Sequence, residues 1–228
     1  MTTLLALDTS GDACSCALLY QNRLLDSFAI IPRQHAAQIL PMIRELMQQA
    51  GLEFTDLDAI AFGQGPGSFT GLRIATGVTQ GIAYAANLPV LPVSTLAALA
   101  YQMRQQSPHQ QILSVIDARI DEIYWGVFDT TGEFPRISGV EHLTIPELVG
   151  MDAGITSSAL VAVGSGLAYR SRFTADLQAR LTSCFPNEVP RASAIAMLGA
   201  EQFRNGNSEK AAHIKPVYLR DQVARKPG

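Results

Sequence analysis

The sequence predicts an α/β protein of two β-rich lobes with mixed sheets flanked by helices. Apolar runs of strand length alternate with stretches of helical periodicity along the 228 residues. Two runs, 4–7 and 112–116, each end in a carboxylate, Asp8 and Asp117, and each opens a set of strands followed by helices. Between the two sets lies a polar break, Gln105-Gln106-Ser107-Pro108-His109-Gln110, with the composition of a linker.

Taken in order, 4–7 reads as a buried strand that turns at Asp8-Thr9-Ser10-Gly11. Strands follow at 14–20 and 24–31, joined by a turn at Gln21-Asn22. Residues 35–50 have helical periodicity, with Ala36, Ile39, Leu40, Ile43, Leu46, Met47 and Ala50 on one side and Gly51 as the stop. Adding Met42 widens the apolar arc to roughly 160°, more than the ~100° that one packing surface needs. Pro41 removes one helical hydrogen bond and should bend that helix.

Strand 57–62 leads into GQGPGSFTGLR at 63–73 and then a helix over 70–87. Strand, glycine-rich turn and helix N-terminus form the architecture of a phosphate cradle, because free N–H groups converge there. The known cradles do not match: Leu72 follows Gly71 where a Walker loop has Lys, and neither glycine pair completes G-x-G-x-x-G. A tight turn that binds nothing is equally consistent with the spacing. Along the helix, Ile74, Val78 and Ile82 repeat every four residues, with Gly77, Gly81 and Ala85 beside them. Each mid-helix Gly costs about 1 kcal/mol relative to Ala, so the pair implies the close approach of another helix, internal or from a partner.

A strand at 89–93 and a helix at 95–106 complete the first half. Beyond the break come a hairpin (112–117 and 122–129), a strand at 160–163 running into Gly164-Ser165-Gly166, and helices at 169–181 and 192–205. The expected division is a first lobe of 1–104, rejoined by the tail 212–228, and a second lobe of 105–211.

Composition narrows the function. Hydrophobic residues make up 47% and charged residues 16%, which describes a folded chain. The net charge is −3 with no basic run before the scattered Arg220, Arg225 and Lys226, so the chain lacks the basic stripe of a protein that grips nucleic acid by itself. Cys14 and Cys16 share one face of a strand and Cys184 stands apart, which is no disulfide framework. The start lacks a basic n-region and its apolar run is broken by Asp8; together with the absence of a membrane-length stretch, this leads to the expectation of a cytoplasmic protein. His35, His109, His142 and His213 are singletons without a second ligand at helical or strand spacing, so no metal site is expected. Asp8 and Asp117 admit two readings, local turn caps or carboxylates that position a cation for phosphoryl transfer. No nucleophile–base pair suited to a peptidase is present.

With these residues laid out, the chain resembles the TsaB (YeaZ) family. The resemblance rests on LALDTS at 5–10, Leu40-Pro41, GPGSFTGLR at 65–73, PVSTL at 92–96, IDAR at 116–119 and PVYLR at 216–220. It implies the two-lobe fold of actin and the sugar kinases and a role in making threonylcarbamoyladenosine on tRNA. The related TsaD transferases carry H-x-x-x-H after the equivalent of strand 89–93; here Thr95 and Leu99 occupy those positions.

The resemblance therefore implies a non-catalytic subunit that supports TsaD in transferring threonylcarbamoyl to N6 of adenosine 37, in tRNAs that read codons beginning with A. Pairing with TsaD, or with a second copy when alone, would use the first lobe, with Ile39, Met42, Ile43, Leu46, Ile74, Gly77, Val78, Gly81, Ile82 and Ala85 as interface residues. The ATPase TsaE would bind that heterodimer, the complex using the ATP and making most of the contact with tRNA. Asp8, Thr9, Ser10, Gly65, Gly67 and Ser68 are the candidates for a vestigial nucleotide site, with no cofactor expected on this chain. The alternative is a small ATP-dependent phosphotransferase of the same fold.

Overall fold

Alternation along the first strand decides the layering of the molecule. The protein is described by a computed structural model covering residues 2–106, 111–151 and 154–220. In β1 (Leu4–Asp8), Leu5 and Leu7 face one side of a sheet while Leu4 and Ala6 face the other, as a pleated strand requires. All five residues are buried, so both faces must be covered. β2 (Ala13–Tyr20) and β3 (Arg23–Ile30) continue antiparallel from β1, and β4 (Ala59–Gly65) and β5 (Pro89–Ser94) add in parallel on its other side.

The second sheet repeats this plan. β6 (Gln111–Arg119) pairs antiparallel with β7 (Glu122–Asp129), whose outer edge takes the short β8 (Arg136–Ile137) and β9 (His142–Thr144). β10 (Leu160–Val163) and β11 (Leu181–Phe185) add in parallel beside β6. The orders β5-β4-β1-β2-β3 and β11-β10-β6-β7-β8 correspond strand for strand. This is the two-lobe, mixed-sheet arrangement of the actin and sugar-kinase class.

Helices supply the missing layers. α1 (His35–Ala50) and α2 (Phe69–Ala86) cover the Leu5/Leu7 face of the first sheet. α3 (Thr95–Gln106) lays Leu96, Leu99, Ala100 and Met103 on Ile112, Phe128, Val161 and Val163 of the second. A 3₁₀ stretch, Ser165–Arg172, and α4 (Ala175–Arg180) close that sheet's far side through Leu167, Phe173 and Leu177. α5 (Ala192–Arg204) covers the other face of the first sheet, where Ala6, Ala17, Ala59 and Ala61 keep the surface flat for Ile195, Ala196 and Leu198. α3 and α5 pack on each other between the sheets.

Three expectations are corrected. The second lobe does not run to 211: the chain returns at Arg191, α5 joins the first core, and β12 (Glu209–Lys210) adds antiparallel to β5. The reason is that the Leu4/Ala6 face of a doubly buried sheet needs a cover that the first hundred residues do not provide. No continuous helix spans 169–181; the 3₁₀ stretch ends, the Thr174 hydroxyl accepts from Leu177 N to start α4, and 181–185 leaves as β11. Most of the wide arc of α1 is used inside the lobe, because the helix packs on β2 and β3 and also along α2, while Ala36 and Leu40 stay exposed. Of the expected linker, 107–110 lies outside the described residues, as do His109, Arg225 and Lys226. No helix among the described residues is long and apolar enough to cross a membrane.

Candidate functional site

The glycine loop is built against the exit of β1. Ser68 N donates to the Ser10 carbonyl at 2.7 Å, and the Thr9 hydroxyl donates to the Gly71 carbonyl at 2.7 Å. A Cβ on Gly71 would lie 1.8 Å from the Thr9 oxygen, and one on Gly67 would lie 2.5 Å from the Ser10 oxygen. These two glycines therefore let backbone approach backbone. Ser68 caps α2, its hydroxyl accepting from Gly71 N at 3.4 Å. One N–H of the supposed cradle is thus spent on the turn that follows β1 and another on the helix cap.

Asp8, at the end of β1, and Asp117, two residues before the end of β6, each accept from the backbone N–H two residues on. Asp8 Oδ1 accepts from Ser10 N at 3.1 Å and from Ser10 Oγ at 2.9 Å. Its Oδ2 is buried without a partner, and burial pushes the carboxyl up to about 6 against the two Ser10 hydrogen bonds that favour the anion. Asp117 accepts from Arg119 N at 2.8 Å and pairs with the Arg119 guanidinium at 3.2 Å.

Between the lobes lies a cleft of ≈ 510 Å³, lined by Ser10, Gly67, Ser68, Leu99, Asp117, Tyr124 and Arg220 among others. Of the six nucleotide candidates, Ser10, Gly67 and Ser68 line it. Asp8 and Thr9 are 1% and 0% exposed and, with Gly65, stand outside its lining. The side chain that would meet a nucleotide-bound cation is sealed beneath the turn.

At the two positions where the resemblance would put paired imidazoles, Thr95 is fully buried and donates to the Pro66 carbonyl at 2.5 Å, and Leu99 belongs to the core of the second sheet. His35 is buried at the start of α1, His142 stacks on Trp125 at 4.2 Å, and His213 is exposed. Among the described residues, no group of three or more His, Cys, Asp or Glu is arranged to hold a metal.

The ten expected interface residues separate into three sets. Ile39, Met42, Ile43 and Leu46 are 0–9% exposed in the first core, which corrects their assignment to the surface: the helix turns them inward, where it packs on β2, β3 and α2. Ile74, Val78 and Ile82 are half-buried against that core. Gly77, Gly81 and Ala85 are exposed, and a Cβ on either glycine would meet nothing within 4 Å. Among the described residues, then, no internal helix approaches the ridge.

Beside the ridge, Leu40 on α1 is 46% exposed and Tyr84 on α2 is 83% exposed. A groove of ≈ 470 Å³ opens between the two helices, lined by Leu40, Arg44, Gln48, Phe54 and Ile82 among others.

The sequence reading did not reach the cluster at the head of α2. The Arg73 guanidinium lies 3.9 Å over the Phe69 ring and donates to Tyr218 Oη at 3.2 Å, and the Phe69 and Tyr218 rings are 5.3 Å apart. The signal was there: Arg73 is the one charged residue in the 18 of α2.

Residues 29–227 match the family described as TsaD: tRNA N6-adenosine threonylcarbamoyltransferase. The chain is 36% identical over 232 residues to the tRNA threonylcarbamoyladenosine biosynthesis protein TsaB of Haemophilus influenzae, covering 98% of this chain and 96% of that one. It is 35% identical to TsaB of Escherichia coli, with 98% and 96% covered. The solved structure of YeaZ from Pseudomonas aeruginosa superposes with a TM-score of 0.90 at 40% identity, covering 96% of this chain and all of that one.

Proposed function

The chain belongs to the TsaB (YeaZ) family, and on that premise we propose that it is a non-catalytic subunit in the synthesis of threonylcarbamoyladenosine on tRNA. It docks a TsaD-type transferase through α2 and supports an active site that lies in that partner. The transfer is to N6 of adenosine 37 in tRNAs reading codons that begin with A. The ATPase TsaE binds the resulting heterodimer, and the complex uses the ATP; alone, the chain pairs with a second copy through the same face.

The observation that carries this reading is the bare ridge of α2. Two mid-helix glycines, with open space where their side chains would be, cost helix stability and contribute nothing to the lobe's own packing. Close approach of a partner helix gives them a use. The absence of chemistry on this chain is supported by Thr95 and Leu99 at the imidazole positions and by the sealed Asp8 carboxylate. The burial of Asp8 also weighs against the phosphotransferase alternative.

The test is co-elution with a TsaD-type partner in gel filtration. Gly81→Leu places a bulky side chain on the ridge and should abolish the complex while the lone variant melts as the parent does. Unaltered complex formation would sink the proposal. Titration of the isolated chain with Mg-ATP checks the alternative: tight binding with turnover would favour the enzyme.

A further inference from the structure

The exposed arc of α2 does not end with the helix. Its seven exposed residues, Phe69, Thr70, Arg73, Gly77, Gly81, Tyr84 and Ala85, fall within roughly 160° when placed at 100° per residue. A solvated helix face of this length ordinarily carries several charges, and this one carries only Arg73. Along the helix axis this face begins at Phe69 and closes at Tyr84 and Ala85, with Gly77 and Gly81 between them. At the head of the helix a third aromatic, Tyr218, comes from the far end of the chain.

Tyr218 is held in place from both sides. Val217 N donates to the Gln64 carbonyl at 2.9 Å, and Gln80 Nε2 donates to the carbonyls of Ala211 and Ile214 at 3.3 and 3.2 Å. Ile214 is buried in the first core. On the other side, Arg220 crosses to the second lobe and donates to the carbonyls of Ala118 and Arg119 and to the Glu122 carboxylate. The hairpin tip it grips runs through three non-glycine residues at positive φ, Arg119, Ile120 and Asp121, at 64°, 55° and 57°. A β-branched residue in that region is strained, so the clamp must over-determine the local backbone. The result is a phenol that is 41% exposed yet fixed in position beside Phe69 and Arg73.

We propose that the strap formed by residues 211–220 is part of the docking face and that Tyr218, with Phe69 and Arg73, is its anchor for the TsaD-type partner. This rests on the reading that α2 docks that partner. Tyr, Arg and aromatic side chains held rigid at the centre of a contact carry most binding energy, because little side-chain entropy remains to be lost.

The chemistry of the occupant follows from the face. It presents a helix with small residues where it crosses Gly77 and Gly81, and a carboxylate where it passes Arg73, which makes no ion pair among the described residues. A second copy is the poorer fit, since its α2 has no acidic residue and its α1 has only Glu45. A partner built on the same family domain, whose match here spans α1, α2 and the strap, has an equivalent helix pair to offer.

The experiment measures affinity for the TsaD-type partner, by calorimetry or biolayer interferometry, for full-length Tyr218→Ala, Arg73→Gln, the double variant and Gly81→Leu. Tyr218→Ala and Arg73→Gln should each weaken binding by about 10- to 100-fold. The double variant should lose less than the product of the two, because the side chains act as one cluster. Raising salt should reduce the Arg73→Gln effect and leave that of Tyr218→Ala in place. Thermal unfolding of each free variant controls for folding, and Tyr218→Phe, which keeps the ring, covers the case in which the alanine variant is unstable.

If Gly81→Leu abolishes binding while both cluster variants bind within twofold of the parent, the strap proposal is overturned and the docking reading stands. If all four bind as the parent does, the docking reading itself fails. If the cluster variants weaken self-association in sedimentation but leave partner affinity unchanged, the occupant is a second copy and the proposal is overturned.

Discussion

The carbonyl oxygen of Thr9 occupies the space that a side chain on Gly71 would need. A Cβ there would lie 1.8 Å from it, and the Thr9 hydroxyl donates back to the Gly71 carbonyl at 2.7 Å. This contact joins the end of β1 to the first turn of α2 and fixes where the exposed arc of the helix points. Gly71→Ala must push two backbones apart in a core without slack, so it should cost at least about 2 kcal/mol. Urea unfolding checks this; a midpoint equal to the parent's would show that the contact is dispensable.

Asp8 gives the fold a distinctive pH dependence. Burial raises its carboxyl from 3.8 to about 6, so between those values the folded chain holds a proton that the unfolded chain releases. The folded state binds more protons in this window, and Asp8 therefore lowers stability as pH rises from about 4 to about 6. A shift of this size corresponds to at most about 3 kcal/mol. Asp8→Asn cannot ionise and should show a flatter curve over the same range, though other acids titrate in both chains. Parallel melting curves for the two would show that Asp8 ionises without cost.

The cysteines should divide by reactivity. Burial holds the Cys14 thiol up at about 11, with the nearby Asp8 charge adding to it, and holds Cys16 up at about 12. Both side chains are fully buried in β2, whereas Cys184 is half-buried on β11. A thiol reagent at pH 8 should modify Cys184 first and reach the other two only after unfolding, since the thiolate is the nucleophile. Mass spectrometry of the native reaction checks the order; rapid loss of Cys14 or Cys16 would mean that the first sheet opens readily.

The sheets were legible because a strand's period is local: Leu5 and Leu7 against Leu4 and Ala6 can be read from four residues. The glycine ridge was legible because a helix that spends stability on Gly77 and Gly81 advertises a reason. What periodicity cannot tell is what lies opposite an apolar face. Ile39 and Ile43 were expected at a partner, yet α1 sits in a corner between β2, β3 and α2 and buries most of its arc there, leaving Leu40 exposed.

The long returns were illegible for a related reason. Nothing near Arg73 in sequence announces Tyr218, 145 residues away, or Glu122 for Arg220, 98 residues away. β11 escaped notice because its residues follow directly on a helical pattern and it pairs on one side only.

Stability and docking should move in opposite directions on α2. Gly77 and Gly81 have helical backbone with open space at Cβ, so Gly77→Ala and Gly81→Ala should each stabilise the free chain by about 0.5 to 1 kcal/mol. The added methyls fall where a partner backbone is expected to approach, so the same variants should bind a TsaD-type partner more weakly. Ile39→Asp provides the contrast: with Ile39 at 0% exposure, a carboxylate there would unfold the lobe rather than test an interface. Thermal melts of the free variants set against their partner affinities check the relationship. A gain in stability with unchanged affinity would place the partner elsewhere, because no helix crossing this ridge at close range could ignore two new side chains.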